Sequence, residues 1–315
     1  MEIAFKIDSL DDFDRISQVF RGSVPIQWNP VDKKIFKYCV AILQEIEVTE
    51  CHRIVYGSEF CHQLLPTTKQ VKGMIQRCQE MKMEFTLVTP RVNLDGMNRL
   101  KKLLNDLKEE RIEIEINDVG VLYYINQHDF PNWSLVLGRT FDQTFHDGRL
   151  SYEETKAYYG ISKISCIEEL PFCSRPYQNF LIEQKIGLCA IDYPNLERET
   201  GSGFGVYFPY AYMTTGGKCK MRCLGQKMEN KFSIDESACT MQCKSYVELM
   251  DKREIDISDA NREFKEKGYT LKRSNLYRKG NTVFYVIPWL RNEKKNIRKN
   301  IEGFDRIIIQ MKLML

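Results

Sequence analysis

Eleven cysteines are spread through the 315 residues, and four of them form a pattern. Cys219 and Cys223 make one C-x3-C pair and Cys239 and Cys243 a second, with fifteen residues between the pairs. Thiolates at this density are soft ligands, which points to tetrahedral zinc or an iron–sulfur cluster. Gly, Lys and Glu are too frequent nearby for the segment to be buried core. A fifth thiol lies far away in sequence: Cys61 ends the stretch GSEFC, just past the β-branched run Arg53–Gly57. Two ligand sets are therefore open. A zinc site of Cys219, Cys223, Cys239 and Cys243 would fold an insertion by itself. A set that joins Cys61 to three insertion cysteines would tie the insertion over the element that carries Cys61. Spacing does not choose between them. A radical-SAM pattern C-x3-C-x2-C is absent, since Gln226 and Tyr246 stand where its last cysteine would be. Cys39, Cys51, Cys78, Cys166, Cys173 and Cys189 are scattered and read as small buried hydrophobes.

A few other residues could do chemistry beside such a centre. His62 follows Cys61 directly and could hydrogen-bond to a cluster sulfur or donate a proton, or be a solvated loop histidine. Asn117 and Asp118 end the alternating run Ile112–Ile116; Asp118 reads first as a helix N-cap, a role compatible with positioning substrate. Arg139, in LGR after the run Ser134–Leu137, is a cation for a substrate carboxylate or one arm of a surface salt bridge. Thr214–Lys218 (TTGGK) superficially looks like the end of a phosphate loop, but the first Gly is missing and Cys219 replaces Ser or Thr. Gly201, Gly203 and Gly205 precede a strand rather than a helix, which argues against dinucleotide binding. No HExxH, GxSxG or Cys–His pairing supports proteolysis. Lys294, Lys295, Arg298 and Lys299 form a basic run that suits a solvated helix face better than an RNA-backbone patch.

GSEFC after a strand, IEINDVGVL, LVLGR and YFPYAYMTTGGKC followed by C-x3-C together resemble peptidase family U thirty-two, the collagenase-like group, from about residue 53 to 246. The likeness is nearest to its short iron–sulfur members, which resemble the proteins of anaerobic ubiquinone synthesis and RNA hydroxylation. The resemblance implies a partial or modified TIM barrel. It also implies a [4Fe-4S] cluster held by one Cys after an early strand and three from a late segment. Carried onto this chain, Cys61 takes the early position, Cys239 and Cys243 the C-x3-C, and Cys219 the remaining place, with Cys223 as its alternative. The implied activity is oxygen-independent hydroxylation, or related redox chemistry, on a small aromatic or nucleobase, with prephenate rather than dioxygen as oxygen source. A collagenase-like peptidase and a non-catalytic metal-bearing subunit of a heterodimer with a related protein are the alternatives.

The elements that must position these residues follow from periodicity. Strand-like runs at Arg53–Gly57, Glu84–Thr89, Ile112–Ile116, Ser134–Leu137, Lys163–Ile167 and Ile186–Ile191 alternate with helical stretches at Lys33–Glu47, Thr67–Lys82, Leu94–Glu110, Val119–Gln127, Tyr152–Tyr159 and Arg175–Glu183. Repeated βα units imply a parallel sheet, and their number suits a TIM-like (β/α) barrel, incomplete or modified, over a doubly wound sheet. Val206–Met213 reads as one aromatic strand, Asn275–Ile287 as a hairpin and Arg306–Gln310 as the last barrel strand. The expectation is one domain over 1–315 with a Cys-rich metal-binding insertion at 214–246. In a parallel barrel, Cys61, Asn117, Asp118 and Arg139 then all fall on the C-terminal rim, where active sites are built. A net charge of +3 announces neither nucleic acid nor an anionic surface. No run approaches the roughly 18 apolar residues of a membrane span. The acidic N-terminal stretch is unlike a signal peptide, so a cytoplasmic protein is expected.

Overall fold

The computed structural model describes residues 1–142, 171–193, 203–217, 219–224, 239–250, 266, 268, 276–291 and 297–315. Five expectations lie outside them: the helix at 152–159, the strand at 163–167, the burial of Cys166, the loop glycine Gly201, and Lys294 with Lys295. The side chain of Cys223 lies outside as well.

The described chain forms a closed barrel of eight parallel strands and a separate four-stranded antiparallel sheet. The barrel strands are β1 (Glu2–Ile7), β2 (Arg53–Gly57), β3 (Glu84–Val88), β4 (Ile112–Ile116), β5 (Trp133–Leu137), β6 (Ile186–Asp192), β7 (Phe204–Phe208) and β12 (Arg306–Gln310). β1 closes the ring by pairing with β2 on one side and β12 on the other. The small sheet holds β8 (Tyr210–Thr215), β9 (Glu248–Leu249), β10 (Leu276–Lys279) and β11 (Thr282–Val286), in the order β8-β11-β10-β9. All four of its strands come from the excursion between β7 and β12, so the Cys-rich stretch at 214–246 is one part of a longer departure from the barrel.

Helices α1 (Leu10–Phe20), α2 (Pro30–Glu45), α3 (Thr68–Glu80), α4 (Leu94–Asp106), α5 (Val119–Asn126), α6 (Arg175–Glu183) and α7 (Ile297–Ile301) connect the strands. Their starts are written in short side chains. Ser9 and Asn29 cap α1 and α2 through backbone N–H groups of the first turn, and Thr67 with Gln70 forms a reciprocal capping box on α3. Among the described residues, no helix is long and apolar enough to cross a membrane.

Three readings need correction, the first being that Cys173 is a small buried hydrophobe: it is exposed, whereas Cys39, Cys78 and Cys189 are buried. Val206–Met213 is two strands, not one: Pro209 has no N–H for a ladder, and there the chain leaves β7 of the barrel and enters β8 of the small sheet. The first twenty residues, read only for their acidic character, supply β1 and α1. The alternation of Ile3, Phe5 and Ile7 with Ala4 and Lys6 is the signal that was there to read.

Parallel strands wrapped by helices bury both faces. One face of each strand joins the main core under the helices, as Ile3, Phe5, Ile7, Ile114 and Ile309 do. The other face fills the barrel in tiers. The middle tier is Ala4, Val55, Val88, Val136, Ala190, Tyr207 and Ile308. Towards the N-terminal ends lies an ionic tier, in which Arg306 makes two hydrogen bonds to Glu113, of 2.6 and 3.0 Å, and Arg53 donates to Glu2 at 2.7 Å. A second ionic tier lies at the C-terminal ends, directly beneath the residues that carry the candidate chemistry.

Candidate functional site

Cys61 reaches the rim because β2 ends in a glycine. Gly57 has φ +131°, and a Cβ there would collide with the Val88 carbonyl of the next strand. The chain turns at this point, and the Cys61 N–H is held by Ser58 Oγ at 3.3 Å. Phe60 then packs against Tyr212 of β8 and Phe284 of β11, with ring centroids 5.0 and 5.7 Å apart, which joins the β2 loop to the small sheet. From the other side β8 runs out to Gly216 and Gly217, and Cys219 precedes a 3-10 turn over Lys220–Cys223. A second 3-10 turn, Gln242–Lys244, follows Met241 in the left-handed region and buries Cys243.

Cys61, Cys219, Cys239 and Cys243 all line one cavity of about 260 Å³ at this junction. None of the four is in a disulfide. Burial pushes the Cys61 thiol up to about 12, and the other three thiols add to the shift; Cys243 is pushed up to about 11, by burial and then by Cys219 and Cys239. The thiols are close enough to sense each other's charge. Among the described residues, no three His, Cys, Asp or Glu side chains stand together as a ready-made ligand set for a metal ion. Arg91 and Arg222 bring positive charge to the same wall.

The other expected site residues divide in two. His62 and Asp118 line the cavity with the thiols. Asp118 is the N-cap of α5, accepting from Gly120 N at 2.7 Å, and its second oxygen accepts from Val92 N at 3.2 Å. It thus fixes the β3 loop to the β4 loop. Asn117 and Arg139 lie below, in the upper ionic tier. Asn117 is buried, donates to Glu115 at 3.3 Å and accepts from Thr140 N at 3.2 Å. Arg139 has no exposed surface. It donates to Asp192 at 2.9 Å and to Gln310 at 3.1 Å, and pairs with Glu59 at 3.1 Å. Its guanidinium lies over the Tyr207 ring, 4.1 Å from the centroid. Two carboxylates of this chain already balance the charge of Arg139, so a substrate carboxylate would have to displace one of them.

That tier contains the residues sequence reasoning missed. Lys6 pairs with Glu59 and donates to the Gly57 carbonyl at 3.2 Å. Burial opposes charge on Glu59, but Lys6 and Arg139 outweigh it and hold the carboxyl below its ordinary range. The Tyr207 hydroxyl donates to Glu115 at 2.7 Å. Glu115 is pushed up to about 7 by burial and then by the Glu59 carboxylate. A signal existed. Lys6 in EIAFKI, Glu113 and Glu115 in IEIEI, Asp192 in IGLCAID and Gln310 in RIIIQ are polar residues inside runs too apolar to have a solvent face. In a barrel they can only point inward.

Known proteins offer nothing to set beside this geometry: no family model, curated protein or solved structure matches the chain.

Proposed function

We propose that this chain is an iron–sulfur protein akin to the short cluster-bearing members of peptidase family U thirty-two. In this reading it is an oxygen-independent hydroxylase, or a related redox enzyme, acting on a small aromatic or nucleobase. One observation carries the reading: Cys61 and three insertion cysteines, more than 150 residues away in sequence, line the same cavity at the C-terminal mouth of the barrel. Four thiols on one cavity match the ligand count of a [4Fe-4S] cluster. Four thiolates around a cluster each take a different iron, so they stand around a common volume instead of a common point. When bound, the cluster would supply electrons to a substrate held beside it.

The chain's own residues have distinct tasks in this reading. Cys61, Cys219, Cys239 and Cys243 hold the cofactor. His62 and Asp118 face the same space and offer hydrogen bonds to a substrate. Arg91 and Arg222 offset the negative charge of a thiolate centre and attract an anionic group. Asn117 and Arg139 act from below by fixing the loops after β4 and β5.

The test is product analysis in cells grown without dioxygen, with and without this chain. Small quinone precursors and RNA nucleosides are compared by mass. A product one oxygen atom heavier, lost with the chain and restored by the wild type but not by Cys61→Ala, is expected. Unchanged products would contradict the activity.

A further inference from the structure

We propose that Asn281, in the two-residue turn of the β10–β11 hairpin, is the positioning residue that holds Cys61 against the insertion cysteines. The proposal rests on reading the four thiols as one ligand set, but not on which metal they take. The Asn281 side-chain amide donates to the Phe60 carbonyl and to the Gly216 carbonyl, both at 2.8 Å. Phe60 is the residue before Cys61, and Gly216 lies three before Cys219. The Asn281 carbonyl accepts from Gly216 N at 3.0 Å, so that strand is held twice. Thr282 Oγ1 donates to Asn281 Oδ1 at 3.2 Å, which fixes the amide with its NH2 towards the two carbonyls.

The other half of the turn reaches the remaining segments. Gly280 N donates to Met221 Sδ at 3.2 Å, two residues past Cys219. Gly280 has φ +56°, and a Cβ added there would lie 3.5 Å from Cys243 Cβ and press on Leu315. Asn281 itself lines the thiol cavity. A single turn thus touches the Cys61, Cys219 and Cys243 segments, beside the Phe60 ring contacts to the small sheet and the bond from Gln242 to the Leu224 carbonyl.

An ordinary turn residue would not need this chemistry. Gly, Asn and Asp all suit two-residue hairpin turns. Only Asn carries an NH2 that can donate to two carbonyls at once. Asn281→Gly and Asn281→Asp therefore keep the turn and remove the double donor.

The test uses the full chain in wild-type and both variant forms. On metal-free protein, a short bifunctional thiol cross-linker is applied and the linked peptides are identified by mass. On protein loaded anaerobically with ferrous iron and sulfide, iron release to a chelator is timed. The expected result is loss of the cross-links between Cys61 and the insertion cysteines in both variants. Iron release should be faster by on the order of tenfold, the scale of one or two lost hydrogen bonds. Wild-type cross-linking and release in both variants would overturn the proposal. Loss of the entire fold in both would also overturn it, since Asn281 would then be a general folding residue. A wild type that takes up no iron, yet cross-links only with Asn281 intact, would sink the cluster and leave the positioning role standing.

Discussion

Lys6, Glu59, Arg139 and Asp192 share the dry space beneath the thiol cavity, two cations against two carboxylates. Such a set contributes little as a whole, but removing one member strands the others. Glu59→Gln removes the carboxylate that Lys6 and Arg139 share, and is expected to cost about 3–5 kcal/mol in urea unfolding. A loss under 1 kcal/mol would mean that water reaches this tier. Glu115, the third carboxyl there, gives a pH signature. Its folded pKa, about 7, lies above the ordinary 4.5. Between those values the folded chain keeps a proton that the unfolded chain has released, so stability falls as pH rises through the window. Glu115→Gln should flatten that slope and leave stability below it little changed, as pH-dependent unfolding would read out. Legibility at this scale was uneven. The cysteine pattern stood out because thiols at short spacing are rare. Arg139 was legible as a rim residue, but its two carboxylate partners come from the β2 loop and the end of β6, and no local pattern connects them.

At the scale of elements, strands β2, β4 and β12 coincide with the runs read from periodicity, and α6 spans the stretch expected of it. These are segments with short, polar boundaries. The run Val206–Met213 misled because both of its halves are aromatic and only Pro209 marks the division. The hairpin was legible from Gly280-Asn281 between two β-rich runs; that its turn touches three cysteine segments depends on the fold of the whole excursion. Two substitutions test the elements directly. Asp118→Ala removes the cap of α5 and the bond to Val92 N, and should lower stability by about 1–2 kcal/mol in denaturant unfolding. Gly280→Ala places a Cβ at a positive φ and against Leu315, and should be more damaging than Ala at an open glycine such as Gly73, when thermal midpoints of the two variants are compared.

For the whole molecule, a closed parallel barrel explains why residues from β2, β4, β5 and β6 gather at one end, and the small sheet explains how a late cysteine segment returns to an early one. The barrel was legible as a βα rhythm; of the small sheet only the hairpin was, because its strands come from widely separated stretches of a single excursion. The account's central claim is that Cys61 and the insertion cysteines hold one centre. The most direct measurement is iron, sulfide and zinc content after anaerobic purification, for the wild type and for Cys61→Ala. The account predicts about four irons and four sulfides per wild-type chain, lost in Cys61→Ala. One zinc per chain, retained when Cys61 is removed, would contradict it and make the late cysteines a self-contained structural site.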